Sequence, residues 1–208
     1  MYLPRPFACT DRHALLAFIA AHPFATIITT DASGAQAGHV PLLAEERADG
    51  LVLRGHLAAA NPQARHAGPA LAVFHGPHAY ISASWYDADD TVPTWNYQVV
   101  HARGDLVCSN DDAAKNALLD DLSAAMEGDR AGRWQERLSP AMRARLLTQI
   151  VAFELRVTDL DGKWKLGQNH APERRLRTAA ALRAVGGDTR MALATAMERT
   201  VDDGRERS

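Results

Sequence analysis

Cysteine is scarce in this sequence, and the two residues present, Cys9 and Cys108, lie far apart and form no CxxC pair. That spacing argues against a disulfide framework or a cysteine-based zinc site, and it fits a reducing compartment. No apolar run approaches the roughly 18 residues that a membrane span requires. The N-terminal residues MYLPRPFACTDRH contain no apolar signal-peptide core. We therefore expect a cytoplasmic protein with no membrane partner.

The sequence also lacks an excess of charge of either sign. Its 23 basic and 25 acidic residues leave a formal charge of −2, so nothing attracts the whole molecule to nucleic acid. Any DNA contact would need a local basic patch. Hydrophobic residues make up 47% of the 208 positions, which suits one globular domain, with or without an appendage.

Signature motifs of several enzyme classes are missing as well. The sequence has no GxSxG elbow, no GxGxxG or Walker loop and no HExxH, which argues against the corresponding hydrolases, nucleotide-binding folds and zinc enzymes. Its nine histidines are scattered, and a lone histidine on a strand is more often a hydrogen-bonded structural residue than a metal ligand. We identify no catalytic residue and expect no metal site.

Strand patterns dominate the first half of the chain. Runs rich in β-branched and alternating residues, separated by turn signals such as DASG (31–34) and Asp49-Gly50, predict strands over residues 24–30, 36–43, 51–57, 70–76, 78–86 and 94–108. A further strand is predicted over 149–160, ending at an Asp161-Gly162 turn. Hairpin-linked strands favour an antiparallel barrel, a mainly β fold with peripheral helices.

Helical patterns frame these strands. They predict helices over residues 11–21 with Thr10 as the cap, 111–126, 140–147, 172–185 and 188 to about 199. We predict a barrel domain over 1–170 with a helical insertion at about 111–147. Residues 171–208 then form a C-terminal helical extension of the same domain, in which Leu176, Ala180 and Leu182 suit packing.

Aromatic and amide residues cluster in YISASWY (80–86) and VPTWNYQVVHARG (92–104). The cluster has two interpretations, a packed aromatic corner or the wall of a site for a planar ligand. In the second, Trp85, Trp95 and Tyr97 supply the wall, and Asn96 and Gln98 supply partners for the edge of the ring.

A phosphate on such a ligand would need fixed cations or backbone N–H groups. Arg54 and His56 share one face of a predicted strand, and AANP (59–62) after them suits the start of a short helix. Lys163 and Lys165 also share a face. Each pair alone is more typical of a solvated surface strand, but together with the aromatic cluster the two pairs favour a flavin mononucleotide (FMN) site.

These stretches resemble the PaiB-like family of FMN-binding negative transcriptional regulators, within the split-barrel flavoproteins that include pyridoxamine 5′-phosphate oxidases. The matching segments are spread in order over nearly the whole chain, and the most specific are VPTWNY (92–97), GHLAAANPQ (55–63) and GKWKLGQN (162–169). The resemblance implies a six-stranded antiparallel FMN-binding split barrel that forms a homodimer, with FMN between the subunits.

The resemblance also implies roles for individual residues. The segment RGHLAAANPQ, with Arg54, His56 and Asn61, is placed like the strand and turn that face the flavin phosphate. Gln98 takes the position of a flavin-contacting glutamine beside Trp95 and Asn96. Lys163, Lys165 and Gln168 fall where polar residues of the last strand approach the cofactor from the partner subunit.

Of three departures from the family pattern, Ala83 in place of a proline affects only loop stiffness, and the other two bear on FMN binding. Ala59 stands where arginine is usual, and Gly167 stands where relatives have serine. A missing guanidinium would remove charge-assisted hydrogen bonds of roughly 1.5–3 kcal/mol each, so these positions predict weaker FMN binding.

The function implied is that of an FMN-binding regulator. No helix-turn-helix is evident, and the only candidate for a DNA-facing element is the arginine-rich C-terminal pair of helices, which we expect to be structural. Two alternatives stay open, an FMN-dependent oxidoreductase using NAD(P)H and a haem-binding split barrel. Whether the protein is an enzyme is therefore open at this point.

Overall fold

The computed structural model describes residues 1–130 and 134–206. Eight strands are present in these ranges: β1 (Ala8–Cys9), β2 (Phe24–Asp31), β3 (Gly34–Pro41), β4 (Leu43–Arg47), β5 (Gly50–Ala58), β6 (Ala67–Ile81), β7 (Thr94–Ser109) and β8 (Ile150–Lys165). The same ranges contain five α-helices: α1 (Arg12–Ala21), α2 (Asp112–Glu127), α3 (Pro140–Leu147), α4 (Pro172–Val185) and α5 (Asp188–Glu206).

The strands form a mostly antiparallel sheet in the order β3-β2-β6-β7-β8-β5-β4, with β1 paired to β8. Both predicted hairpin turns are confirmed. The β2–β3 hairpin closes at Gly34 and the β4–β5 hairpin at Gly50, where φ angles of +113° and +137° require glycine.

The six-strand prediction is wrong in count, because the structure has eight strands. Strand β6 runs unbroken through Gly76-Pro77, where two strands were predicted. The predicted turn at Asp161-Gly162 is instead part of β8, where Gly162 pairs with Cys9. A side chain at Gly162 would collide with Leu15, so this glycine serves close packing rather than a turn. The short strands β1 and β4 were not predicted.

All five predicted helices are present, with two corrections. The cap of α1 is Asp11 rather than Thr10, because the Asp11 carboxylate accepts hydrogen bonds from the backbone N–H groups of His13 and Ala14 at 2.9 and 3.3 Å. Helix α5 continues to Glu206, beyond the predicted end at about Arg199. Arg207 and Ser208 of the predicted extension, and residues 131–133 of the predicted insertion, lie outside the described residues.

The chain divides into two units. The first unit comprises Met1–Phe18, His75–Val100 and Asp161–Ser208. Its core is built where α4 and α5 cover the ends of β6 and β8, from Ala79, Ile81, Tyr86, Leu166, Ala179, Leu182, Leu193, Ala194 and Met197. Leu182 is buried as predicted, but Leu176 and Ala180 are exposed, because the inward face of α4 carries Thr178 and Ala179 instead.

The second unit comprises Ile19–Phe74 and His101–Leu160. Alternate residues of its strands point inward and build most of the core. Its largest fully buried side chains are Ile27, Leu53, Phe74, Leu106, Phe153 and Leu155 of the strands, together with Ile19 of α1 and Leu42 between β3 and β4. Gly55 of β5 lies against Leu42 and Phe153 so closely that a Cβ atom would come within 2.7 and 2.9 Å of them. The predicted division into residues 1–170 and 171–208 stays a prediction.

No helix in the described ranges is long and apolar enough to cross a membrane. Within the same ranges, no group of three or more His, Cys, Asp or Glu side chains is placed to hold a metal ion.

Candidate functional site

The nine residues singled out from the sequence fall in both units. Arg54, His56 and Asn61 belong to the second unit. The other six belong to the first unit: Trp95, Asn96, Gln98, Lys163, Lys165 and Gln168. Each group is described within its own unit.

Arg54 lies on β5 with its charge already balanced. Its guanidinium forms ion pairs with Glu45 at 2.7 Å and with Asp121 of α2 at 2.6 Å. A hydrogen bond from Arg47, with the charges of Arg54 and Arg47, holds the pKa of the Glu45 carboxyl below its ordinary value. Two carboxylates therefore compete with any phosphate for Arg54.

His56 shares its strand face with Arg54, as predicted, but lies in apolar surroundings. Its Nδ1 atom is buried and has no hydrogen-bond partner among the described residues. Burial lowers the pKa of the imidazole, so the ring is neutral at pH 7. An apolar setting does not suit a phosphate oxygen, which carries charge.

Asn61 caps a turn in this unit. Its side-chain oxygen accepts a hydrogen bond from the backbone N–H of Gln63 at 2.9 Å and so caps a 3-10 turn over Pro62–Arg65. The helix start predicted at 59–62 is therefore only this four-residue turn. Ala59 donates its backbone N–H to the oxygen of Gln149 at 2.8 Å.

Lys165 and Trp95 are direct neighbours in the first unit. The Lys165 ammonium donates to the main-chain oxygen of Trp95 at 2.9 Å and to the hydroxyl of Thr94. Trp95 itself is 54% exposed, a large fraction for a tryptophan. The predicted proximity of a cation and an aromatic wall is present at this point.

Lys163 carries a buried charge without a carboxylate partner in the described part of the chain. It is only 9% exposed, and its ammonium donates to the main-chain oxygen of Tyr2 at 3.0 Å. It also lies over the rings of Tyr2 and Tyr97, 5.3 and 5.6 Å from their centroids. Carbonyl and ring contacts stabilise a buried ammonium less than an anion does.

Asn96 and Gln98 occupy the face of β7 opposite to Trp95 and Tyr97, because side chains alternate along a strand. The predicted ring wall and its predicted edge partners therefore do not share one face. Asn96 is 2% exposed and donates to the sulfur of Met197 in α5 at 3.6 Å. Gln98 is half-buried, and its amide makes no hydrogen bond within the described residues.

Gln168 holds the turn that follows β8. Its side chain accepts from the backbone N–H of Leu166 at 2.8 Å and donates to the oxygen of Trp164 at 2.6 Å. The neighbouring Gly167 has a φ of +83°, a conformation that favours glycine. Glycine therefore suits the backbone conformation at this position.

A cavity of about 530 Å³ brings the aromatic cluster together in the first unit. Its lining residues are His78, Ala79, Tyr80, Trp85, Trp95, Val185, Gly187, Asp188, Thr189 and Arg190. Trp85 and Trp95 were predicted as wall residues, and both line this aromatic cavity. Tyr97 does not line it and contacts Lys163 instead.

The turn between α4 and α5 forms the polar side of the aromatic cavity, and it was not predicted as part of a site. The sequence pattern there, Gly186-Gly187 followed by Asp188, indicates only the boundary between the two predicted helices and not a ligand site. Arg190 donates to the oxygen of Gly186 at 3.3 Å, and Asp188 makes no ion pair among the described residues. Opposite, the Nδ1 atom of His78 forms a hydrogen bond with the main-chain oxygen of Gly76 at 3.0 Å.

The arginines of α4 are engaged within the first unit. Arg175 donates to Thr200, Arg177 donates to the main-chain oxygen of Tyr86, and Arg183 forms an ion pair with Glu198 at 2.6 Å. Arg174 lies over the ring of Tyr86, 5.7 Å from its centroid. These contacts match the structural role expected for the C-terminal helices.

Comparison with known proteins relates the chain to a family of FMN-binding domains. Residues 1–159 match the model of a family described as "Putative FMN-binding domain". The chain is 36% identical over 177 residues to protease synthase and sporulation protein PAI 2 of Bacillus subtilis, covering 81% of this chain and 83% of that protein.

Two solved structures are similar in fold. The flavocytochrome Anf3 from Azotobacter vinelandii has a TM-score of 0.60 and 18% identity, over 77% of this chain and 70% of that one. An FAD- and heme-binding protein from Mycobacterium smegmatis has a TM-score of 0.59 and 18% identity, over 87% and 80%. These likenesses confirm the split-barrel fold class, mostly antiparallel with helices.

Proposed function

The chain belongs to the FMN-binding domain family whose model it matches, and on that premise we propose that the aromatic cavity of the first unit seats the flavin ring of FMN. FMN is the cofactor of this family, and the resemblance to PaiB-type regulators agrees with the identity to PAI 2. Neither the family match nor this relative favours the oxidoreductase or haem alternatives.

The observation that carries the proposal is the set of three aromatic side chains on one cavity. Tyr80 and Trp95 are 48% and 54% exposed, and their ring centroids are 6.3 Å apart in an edge-on arrangement. Trp85 is the third aromatic side chain of this set. A cavity of about 530 Å³ lies within the roughly 300–1,000 Å³ typical of small-molecule sites. Flat apolar walls of this kind favour a planar ring.

Lys163 and Lys165 fit the phosphate of FMN. An ammonium group has three N–H donors. Lys163 uses one of them on Tyr2, and Lys165 uses two on Thr94 and Trp95, so each keeps at least one. Neither is paired with a carboxylate in the described ranges, in contrast to Arg54.

FMN supplies reversible one- and two-electron chemistry when it is bound. The protein's own contribution is to bind and orient it. Aromatic faces exclude water from the ring, and the lysines hold negative charge at a fixed place. Arg54, His56, Asn61 and Gln168 contribute by shaping β5 and the turn after β8.

A regulatory role for the chain follows from its relationship to the sporulation protein. We propose that it acts without reading DNA through α4 and α5. The contacts of Arg175, Arg177 and Arg183 inside the first unit support this, since each side chain is held against another group of the same unit.

We also propose a cytoplasmic homodimer. Several large apolar side chains are strongly exposed in the first unit, among them Tyr2 at 84% and Val92 at 74%, and a partner subunit would cover them. Light scattering that gives the mass of two chains at micromolar concentration supports the dimer, and a monomer mass contradicts it.

FMN binding is tested by titration, with flavin fluorescence as the signal. Riboflavin, which lacks the phosphate, is titrated for comparison. We expect Trp95→Leu to weaken both ligands by about tenfold, because it removes the ring wall. The matched control is Trp134→Leu, a tryptophan of the second unit, which should change neither. Equal FMN affinity in wild type and Trp95→Leu would contradict the proposed seat.

A further inference from the structure

Arg174 is the one arginine of α4 whose guanidinium has no oxygen acceptor in the described part of the chain. The other three arginines of this helix each donate to an oxygen atom of the first unit: Arg175, Arg177 and Arg183. Arg174 instead approaches the Nδ1 atom of His170 at 3.4 Å and lies over the ring of Tyr86. A guanidinium has five N–H donors. Arg174 therefore keeps most of its donors without a partner in the described ranges.

The turn between β8 and α4 brings further basic side chains to Arg174. His170 donates its backbone N–H to the oxygen of Gly167 at 2.8 Å, and its ring packs on Tyr86 with centroids 4.9 Å apart. A Cβ atom on Gly167 would lie 3.6 Å from the stem of Arg175 and 3.8 Å from the His170 ring, so these two side chains are neighbours. We name the following four residues the basic cluster: Lys165, His170, Arg174 and Arg175.

No acidic side chain in the described ranges forms an ion pair with the basic cluster. Burial and the positive charges of Arg174, Arg175 and Lys165 all lower the pKa of His170. Glu173, in the first turn of α4, is exposed and is not among the charges that act on His170. Like charges held together repel each other and cost free energy, and a bound anion would offset that cost.

We infer that the basic cluster binds a phosphate group, inorganic or as a monoester, with Arg174 as its main ligand. A phosphate monoester carries a charge of about −1.5 to −2 at pH 7 and presents three strong acceptor oxygens. The planar guanidinium of an arginine suits a two-point contact with such a group.

The phosphate has two possible sources. Lys165 also contacts the main-chain oxygen of Trp95, whose ring lines the aromatic cavity. The phosphate of FMN is therefore one source, and in that case the inference rests on the proposed seat of the flavin ring and Arg174 acts together with Lys165. A separate small phosphorylated molecule is the other source.

The first test measures the binding of inorganic phosphate to the flavin-free full chain by phosphorus NMR titration at constant ionic strength. We expect Arg174→Gln to weaken phosphate binding by about five- to tenfold, which is the effect of a charge-assisted hydrogen bond reduced for a half-exposed position. Arg174→Lys keeps the charge and should retain most of the affinity. The matched control is Arg183→Gln, which removes the same charge about 13 Å farther along α4 and should leave phosphate binding unchanged.

FMN and riboflavin distinguish the two sources. If the phosphate belongs to FMN, Arg174→Gln weakens FMN and leaves riboflavin unchanged. If it belongs to another molecule, both flavins bind this variant as they bind wild type, while inorganic phosphate binds it more weakly. Either result supports the phosphate site.

Three results would overturn the inference, whatever Trp95→Leu does to flavin binding. The first is no phosphate binding by wild type, and the second is equal phosphate affinity in wild type and Arg174→Gln. The third is a complex with duplex DNA that Arg174→Gln abolishes and inorganic phosphate does not compete with, since the cluster would then serve a nucleic acid.

Discussion

The ammonium group of Lys165 donates a hydrogen bond to the main-chain oxygen of Trp95 at 2.9 Å, so one strand carries the cation and the next carries the exposed ring. This contact fixes the distance between a positive charge and an aromatic surface. A phosphorylated flavin needs both a positive charge and an aromatic surface, and here the two are pre-organised before the ligand binds.

Lys165→Met should therefore weaken FMN more than riboflavin. A charge-assisted hydrogen bond is worth about 1.5–3 kcal/mol, and the half-exposed position lowers this, so we expect roughly a tenfold loss for FMN. Flavin fluorescence titration measures both ligands. Lys165→Arg keeps the charge and should recover most of the affinity; an equal loss for FMN and riboflavin would contradict a phosphate contact.

Gly167→Ser, which restores the residue that relatives have, should destabilise the protein. The φ of +83° is unfavourable for any side chain, by about 1–2 kcal/mol. Space is not the limit, since an added Cβ would lie 3.6 Å from Arg175 and 3.7 Å from Asn96. Urea unfolding measures the change, and an unchanged midpoint would show that the turn adapts without cost.

Gly104→Ala should be far more damaging. A Cβ atom on this residue of β7 would collide with the main-chain oxygen of Arg156 in β8 and lie 2.7 Å from its carbonyl carbon. Backbone atoms of a paired strand cannot move aside as a flexible side chain can. We expect a loss of more than about 3 kcal/mol, seen as insoluble expression or a strongly lowered unfolding midpoint. Normal stability would mean that β7 and β8 separate more easily than their pairing implies.

Acidic pH should reduce stability through His56. Burial lowers the pKa of His56 in the folded protein, whereas in the unfolded chain it is near 6.5. The unfolded state therefore takes up the proton first as pH falls, and stability is lost from about pH 6.5 down through the lowered folded value. His56→Phe should show a smaller loss between pH 7.5 and pH 5.5 than wild type in urea unfolding. Identical pH profiles would show that His56 does not contribute.

DNA binding should be weak and nonspecific. The formal charge is −2 and the arginines of α4 contact other groups of the first unit, so we expect little net attraction to the phosphates of DNA. Fluorescence anisotropy with labelled duplex at low and physiological salt measures this. A specific complex whose affinity falls steeply with salt would contradict the proposed role of the C-terminal helices.

Local signals in the sequence predicted local structure well. Turn signals such as DASG (31–34) and Asp49-Gly50 marked real boundaries, because their chemistry acts within a few residues. Gly76-Pro77 and Asp161-Gly162 misled the prediction, since a partner strand and the side chain of Leu15 override turn propensity there.

The site was harder to predict than the fold. Trp85 and Trp95 were identified from residue type alone, and both line the aromatic cavity. Side chains alternate between the two faces of a strand, so this rule alone would have placed Trp95 and Asn96 on opposite faces of β7. The neutralisation of Arg54 by Asp121 could not be predicted, because it depends on a helix 67 positions away in sequence.

Half of the aromatic cavity is built by a segment that the family model does not reach. The model matches residues 1–159, whereas Val185 and the residues from Gly187 to Arg190 lie beyond it. Exchange of this C-terminal hairpin between family members would replace one wall and leave the strands unchanged. Ligand preference can thus diverge through the tail of the chain, and chimeric proteins are the natural way to map it.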